Sequence, residues 1–381
     1  LEGPNSNHHQ LDAYDCDEPT EYTMAAPTML QPGNIHKIKD SDSAIRETDT
    51  DAAHSRLSAV RQGYLVDPYL TPLVPRARFV PTRAPLMNVG TYVRSTAIDM
   101  LVESWLNLAG PETEKRQIVS LGAGSDTRYW RLMDKGFSGR IASYVELDFT
   151  ENTSRKAKAV MQSPVLSNVL GPEVKIERGG TGLSSPAYHL IPLDLREGAS
   201  ALDLLVSPPS PTDAPLDPSL PTLFIAECVF VYMPPSASGT IVQWFSNTFK
   251  RTAGIVYEMF GLQDSFGKVL KDNLKARHIE LPGVDAFPTL DSQISRYTSN
   301  GLSHSKGRTL KSIRRENIPA SELQRISRLE HLDEIEELEL VLEHYAITWG
   351  YSNQTVDEER LRGPLDHWEL PLQLTSPEDA D

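Results

Sequence analysis

Residues 117–131 read QIVSLGAGSDTRYWR, and this stretch decides how the rest of the chain is read. Gln117 to Leu121 is a short apolar run with two β-branched residues, which predicts a buried strand. It ends in Gly122-Ala123-Gly124. Two glycines one residue apart permit a tight turn and let a ligand approach backbone that a Cβ would shield. Ser125, Asp126 and Thr127 follow and can cap the helix whose start they mark. Strand, glycine turn and helix N-terminus together form the unit with which open α/β sheets hold an adenosine-bearing ligand.

A bare G-x-G leaves two readings open, a turn without ligand and a nucleotide loop. Position favours the second. Another strand-like run, Ile141–Leu147, carries Glu146 and Asp148 at its end, about 25 residues beyond Gly122, close to the offset of a ribose-gripping acid. A nicotinamide dinucleotide fits poorly, because its fingerprint wants a third small residue where this chain has Thr127 followed by Arg128. The loop is also too poor in glycine to cradle a pyrophosphate. S-adenosylmethionine, which has adenosine but no phosphate, fits better.

The chain has 381 residues, 39% of them hydrophobic, enough for one large domain or two small ones with a real core. Its net charge of -15 argues against a general nucleic-acid or membrane-surface binder, since both want a basic face. Cys16 and Cys228 are the two cysteines. A disulfide framework is not expected from such a pair, and a reducing compartment is. No apolar run has the length of a membrane span, and no signal peptide is evident. The chain does not begin with Met, so a trimmed N-terminus is expected.

From the N-terminus, residues 1–45 are polar and aperiodic and are read as a disordered or loosely attached tail. His8-His9 lies there and is not read as a metal site. Residues 46–116 look helical, with Val93, Ala97, Ile98, Leu101, Trp105 and Leu108 at helical spacing. Between His54 and Arg94 lie six arginines (Arg56, Arg61, Arg76, Arg78, Arg83 and Arg94) and one acid, Asp67. Such a local excess suggests a surface that meets anions, and a solvated face fits several of the six. Residues 117–353 form the core. Strands are expected at Gln117–Leu121, Ile141–Leu147, Tyr188–Leu193, Thr222–Val231 and Gly254–Phe260. Helices are expected at Thr127–Lys135, Thr150–Gln162, Ser236–Lys250 and Ser265–Arg277. This alternation predicts a parallel sheet with ligands at the strands' carboxyl ends, where Asp148, Asp194 and Glu227 lie. Residues 207–221 carry six prolines and are read as a surface insertion. A second insertion on the substrate side spans 280–316. Residues 320–343 are read as one long helix with an acidic solvent face and a stripe of Ile326, Leu329, Leu332, Ile335, Leu338 and Leu342. His344–Gly350 alternates like a last strand. Residues 354–381 form an acidic tail.

The chain resembles the leucine carboxyl methyltransferases, which methylate the C-terminal leucine of the protein phosphatase 2A catalytic subunit and so influence holoenzyme assembly. The likeness runs from about Asp49 to Trp349 through QGYLVDPY, GTYVR, IVSLGAGSDTRYWRL, YVELDF, PLDLRE, TLFIAECVFVYM, YEMFGLQDSFGKVL and RLEHLDEIEEL. It implies a class I S-adenosylmethionine-dependent methyltransferase, with a Rossmann-like, mostly parallel sheet and an added N-terminal helical lid. By this resemblance Arg94 holds the methionine carboxylate of the cofactor near the substrate carboxylate. Gly122, with Ala123 and Gly124, contacts the cofactor, and Asp148 takes the ribose hydroxyls. Asp194 and Leu195 face the adenine, and Glu227 sits beside the methionine end. Arg56 stands where the family has a lysine and is carried as a cofactor-binding residue, although a planar fork is not equivalent to a point charge. The expected partner is the phosphatase catalytic subunit as substrate. A monomer without metal, nucleic acid or membrane contact is expected, in the cytoplasm and secondarily the nucleus.

The residues agree with this chemistry. Three acids at successive strand ends suit hydroxyls, an exocyclic amine and an ammonium, and they repel phosphate. A C-terminal carboxyl group, with a pKa of roughly 3.3–3.7, is already an ionised nucleophile and needs no general base. Arg94 is the expected catalytic residue. Tyr232 has two readings, a hydrogen-bond donor in the same pocket or a core aromatic. Cys228 is read as a structural thiol. Three rival readings are carried: a carboxyl methyltransferase acting on a modified tRNA base, a non-catalytic cofactor-binding phosphatase partner, and a nicotinamide dehydrogenase.

Overall fold

The computed structural model describes residues 41–108, 114–208, 214–353, 365 and 367–373. Two helices come first, α1 (Ser41–Arg61) and α2 (Pro85–Asn107). The order then runs β1 (Arg116–Leu121), α3 (Arg128–Asp134), β2 (Ile141–Asp148), α4 (Thr150–Gln162), α5 (Pro164–Leu170), β3 (Lys175–Glu177), β4 (Gly182–Ser184), β5 (Tyr188–Pro192) and α6 (Ala199–Asp203). It continues with β6 (Thr222–Glu227), α7 (Pro235–Thr248), β7 (Arg251–Met259), α8 (Ser265–Ala276), α9 (Leu290–Thr298), β8 (His304–Thr309), α10 (Leu310–Glu316), α11 (Ala320–Ile326), α12 (Ile335–Glu343) and β9 (Tyr345–Asn353).

The strands form one sheet in the order β3-β4-β5-β2-β1-β6-β7-β9-β8. The central five, β5 to β7, are mutually parallel. The flanks are antiparallel, with β9 inserted between β7 and β8. The fold is thus the expected Rossmann-like, mostly parallel sheet of a class I methyltransferase, with helices placed before it. Parallel strands are covered on both faces and therefore read as continuous apolar runs. Successive side chains point to opposite faces. Ile118, Tyr144 and Ile225 join a core with α2, whose Val93, Ile98, Leu101 and Trp105 are buried there. Val119, Val145 and Phe224 join the opposite core with Ile241, Val242 and Phe245 of α7. The strand order sets the carboxyl ends of β5, β2, β1, β6 and β7 side by side.

Several expectations are corrected. Helix α1 starts at Ser41, inside the segment read as a loose tail; residues 1–40, with His8-His9 and Cys16, lie outside the described residues. Strand β6 stops at Glu227 rather than Val231, because Cys228 adopts φ 53° and a 3₁₀ turn follows at Phe230–Tyr232. An apolar run remains apolar when it turns, so periodicity alone cannot locate the bend. The long helix of 320–343 is two helices. Ser327–Glu334 is irregular because its side chains serve tertiary contacts: Leu329 and Leu332 pack on the core, and Glu330 accepts from Asn88 Nδ2 at 2.7 Å. Ile335, assigned to the buried stripe, is 44% exposed. Within 280–316 lies β8, whose sequence HSKGRT gave no apolar alternation because it is a half-exposed strand at the sheet edge. Of the proline-rich 207–221, residues 209–213 lie outside the described residues, as do most of 354–381. Trp368, in that last segment, is fully buried and donates from Nε1 to the Leu101 carbonyl at 2.9 Å.

Gly254 of β7 faces the Phe224 ring so closely that an added Cβ would sit 2.1 Å from its Cζ. Overpacking of this kind costs about 1–3 kcal/mol. Gly254→Ala is therefore expected to lower the free energy of unfolding by that amount, read as a lower denaturant midpoint at unchanged m, with the secondary-structure spectrum of the folded state unchanged.

Candidate active site

The glycine turn at the end of β1 is strained for any side chain, with φ 61° at Gly122 and 48° at Gly124. A Cβ at Gly122 would meet Val229 Cγ2 at 2.6 Å, and one at Gly124 would meet Asp49 Oδ1 at 2.3 Å. Ala123 ties the turn to β2 by donating to the Leu147 carbonyl at 3.1 Å. Asp148, at the end of β2, accepts from Gly124 N at 2.7 Å, Phe149 N at 2.7 Å and Asn152 Nδ2 at 2.8 Å. Those bonds use three of the roughly four acceptor positions of a carboxylate. One is left for a ribose hydroxyl, where the sequence suggested two. Burial pushes the Asp148 carboxyl up to about 6, against the hydrogen bonds that favour its ionised form.

Helix α1 lies on this turn through Asp49. Asp49 Oδ1 accepts from Ser125 N at 2.7 Å, and Oδ2 accepts from Ser125 Oγ and Arg155 Nη2, both at 3.0 Å. Asp42 of the same helix makes a two-pronged pair with Arg196 at 2.7 and 2.9 Å. Arg196 in turn grips Asp194, with Nη2 at 2.6 Å from Oδ2, and holds that carboxyl below its ordinary range. Leu195, buried, opens the short 3₁₀ turn that Asp194 caps. Two carboxylates, Asp49 and Asp148, thus flank the glycine turn and would repel a pyrophosphate.

The other half of the site is a mesh of four arginines and four acids. Arg94 reaches from α2 to the end of β6, where its Nε and Nη2 lie 2.8 and 2.7 Å from Glu227 Oε2. Arg128 donates to Glu227 Oε1 at 2.7 Å, to Asp126 Oδ2 at 2.6 Å and to Asp99 Oδ1 at 3.1 Å. Arg131 pairs with Asp99. Arg56 binds Asp67 Oδ2 at 2.8 Å and Ser95 Oγ at 3.0 Å, and Thr127 Oγ1 donates to the same Asp67 oxygen at 2.6 Å. Thr127 therefore serves Asp67 rather than capping α3; Asp126 accepts from Arg128 N instead, at 3.0 Å. Burial opposes ionisation of Glu227, but Arg94 and Arg128 outweigh it and hold its carboxyl down at about 2. The two arginines differ in access: the Arg94 side chain is 25% exposed and that of Arg128 only 2%. An incoming carboxylate can take Arg94 from Glu227 while Arg128 stays behind, and the freed Glu227 oxygen can receive an ammonium.

Arg94 also stacks 4.4 Å over Tyr257, which itself stacks on Tyr345 at 5.4 Å. Tyr232 is half-buried in a small apolar cluster with Cys228, Leu270, Leu274, Leu281 and Tyr345, and Thr48 of α1 lies beside its hydroxyl. Burial pushes the Cys228 thiol up to about 12, which leaves it protonated and a poor nucleophile. Among the described residues no group of three or more His, Cys, Asp or Glu could hold a metal ion.

The structure thus brings Gly122, Ala123, Gly124, Asp148, Asp194, Leu195, Glu227 and Arg94 to one sheet edge. Arg56 is spent on Asp67 behind it. Sequence reasoning missed Asp49, Asp99, Arg196 and Tyr257, read Asp126 only as a helix cap, and used Arg128 only as an argument against a dinucleotide. Arg128 did carry a signal. A cation at the first position of a helix opposes the helix dipole, so acids had to be near.

The family described as leucine carboxyl methyltransferase matches residues 44–246, more than half of the chain. The chain belongs to the leucine carboxyl methyltransferase family. A Cryptococcus neoformans protein named leucine carboxyl methyltransferase 1 is 47% identical over 340 residues, which span 81% of this chain and 93% of that one. An Arabidopsis thaliana homologue is 36% identical, spanning 83% and 91%. The Bos taurus protein of the same name is 34% identical, spanning 81% and 90%. The chain is accordingly a methyltransferase, and the glycine turn, the strand-end acids and Arg94 all lie within the matched span.

A ribose hydroxyl that donates to Asp148 needs the ionised carboxylate as its acceptor. Protonation converts one of its oxygens to a donor. Affinity for S-adenosylhomocysteine, measured by titration calorimetry from pH 8 to 5, is expected to be level above about 6 and to fall as the pH drops through it. Asp148→Asn is expected to bind weakly with no such step.

Proposed function

We propose that this methyltransferase transfers a methyl group from S-adenosylmethionine to the α-carboxylate of the C-terminal leucine of the protein phosphatase 2A catalytic subunit. The observation that carries this reading is the Arg94–Glu227 pair, an exchangeable cation and anion at the strand ends beside a glycine turn flanked by carboxylates. An amino-acid zwitterion is the ligand end that exchange accommodates: its carboxylate replaces Glu227 on Arg94, and its ammonium replaces Arg94 on Glu227. The adenosyl part fits Asp148 through its ribose and Asp194–Leu195 through its base. Bound there, the cofactor supplies an electrophilic methyl on a sulfonium.

The chain's own contribution is alignment and dryness. The acceptor carboxylate is ionised without help, so no base is required. A desolvated carboxylate needs a cation near enough to offset the loss of water. Arg94, stacked on Tyr257, can supply that charge bidentately from a fixed direction. Helix α1, held by Asp42 and Asp49, closes over the strand ends. Holding the reacting atoms in line can be worth several powers of ten in rate.

The test is labelled methyl transfer from S-adenosylmethionine to the intact phosphatase catalytic subunit, beside a form lacking its last leucine. Base-labile label on the intact protein alone is the expected result. Equal labelling of both, or none despite cofactor binding, would overturn the substrate assignment. Arg94→Ala is expected to lose transfer by at least about 100-fold, the scale of one removed electrostatic donor, while its thermal unfolding stays cooperative. A normally saturable, fully active Arg94→Ala protein would contradict the role given to Arg94.

A further inference from the structure

Glu258 and Arg296 form an ion pair sealed from solvent, 2% and 1% exposed, on the side of β7 away from Arg94. Tyr257 and Glu258 are neighbours in a strand and so face opposite ways; one stacks on Arg94, and the other points beneath the turn that follows β6. Glu258 Oε1 accepts the Val231 N–H at 3.0 Å, and the Phe230 N–H also reaches this carboxylate. Its other oxygen accepts from Arg296 Nη2 at 3.1 Å. The Arg296 guanidinium sits 5.3 Å from the Phe230 ring centre and 4.2 Å from that of Phe287. From the other side Gly283 donates to the Val231 carbonyl at 3.0 Å, so closely packed that a Cβ there would lie 2.3 Å from the Phe230 oxygen.

The turn so gripped is Phe230–Tyr232. It begins three residues after Glu227, across the left-handed Cys228, and ends in Tyr232. A left-handed non-glycine residue persists only where its surroundings over-determine it: the Cys228 N–H donates to the Tyr257 carbonyl at 2.7 Å, and Glu258 holds the amides of the turn that follows. Stability does not explain the pair. Burying two charges costs several kcal/mol each, and matched apolar replacements of buried pairs are often neutral or better. Arg296 Nε and Nη1 make no hydrogen bond among the described residues, which makes the pair a poor stabiliser and a good wedge.

We propose that Glu258, with Arg296 as its counter-ion, is a positioning residue for methyl transfer: it fixes the turn that presents the Tyr232 hydroxyl to the acceptor carboxylate. This rests on the carboxyl-transfer reading above. The groups act through Tyr232 and touch neither cofactor nor acceptor.

The experiment compares Glu258→Met/Arg296→Met, which removes both charges, with Glu258→Gln/Arg296→Met, which restores an oxygen acceptor for the turn's amides. Phosphatase catalytic subunit is the acceptor and S-adenosylhomocysteine the binding probe. The double-Met protein is expected to lose about 100-fold in kcat, the effect of a misplacement near 1 Å, with probe affinity within about threefold of the parent. The Gln/Met protein is expected to regain about 10-fold or more. Parent-like kcat in the double-Met protein overturns the proposal. So does a loss of kcat and probe affinity together without recovery in Gln/Met, because that is the mark of general unpacking. If the double-Met chain does not fold, Tyr232→Phe decides: a loss of kcat with unchanged probe affinity supports the proposal, and full activity overturns it. Failure of the unmodified protein to label the acceptor at all would instead bring down the functional reading.

Discussion

Glu227 between Arg94 and Arg128 is the interaction on which the site depends. A carboxylate at a buried strand end is costly by itself. Here it is held ionised by two guanidiniums that arrive from different elements, α2 and α3. Arg128 draws in Asp99 and Asp126, and Asp99 draws in Arg131. Four cations therefore meet four anions, and no one of them can leave without stranding another. Arg94 is the exception because it faces outward. The mesh holds the site together and leaves one cation available for exchange.

The same economy governs the lid. Helix α1 has little apolar need of its own at its N-terminal end. It is fastened by carboxylates, Asp42 to Arg196 and Asp49 to the Ser125 backbone. The Asp42–Arg196 pair is partly exposed, and such pairs are individually weak; farther along, Ala53 and Leu57 pack α1 against Leu70, Val74 and Ala77.

Much of this was legible in the sequence. The parallel strands announced themselves as apolar runs, and the glycine turn and strand-end acids Asp148, Asp194 and Glu227 followed from topology alone. What escaped was set by contacts distant in sequence. Asp49 lay in the segment read as helical and was given no role, because nothing local distinguishes an acid that will meet a glycine turn 76 positions away. The bend at Cys228 is held from elsewhere in the chain: its own N–H goes to the Tyr257 carbonyl, and Glu258 and Gly283 bond the turn that follows. The break between α11 and α12 reflects Leu329, Leu332 and Glu330 answering to the core and Asn88. Arg56 matched a family lysine by position, yet its partner Asp67 could be named only from the fold.

Strand β9 is inserted between β7 and β8, which has a bearing on how the protein is made. Until residues 345–353 are available, β7 is an open edge of apolar sheet in a chain already several hundred residues long. Unpaired edges of this kind template wrong partners. During synthesis this side of β7 thus stays unpaired until β9 arrives, and Tyr257 gains its stacking partner Tyr345 only then. One strand therefore both covers the edge of β7 and completes the aromatic stack on which Arg94 rests.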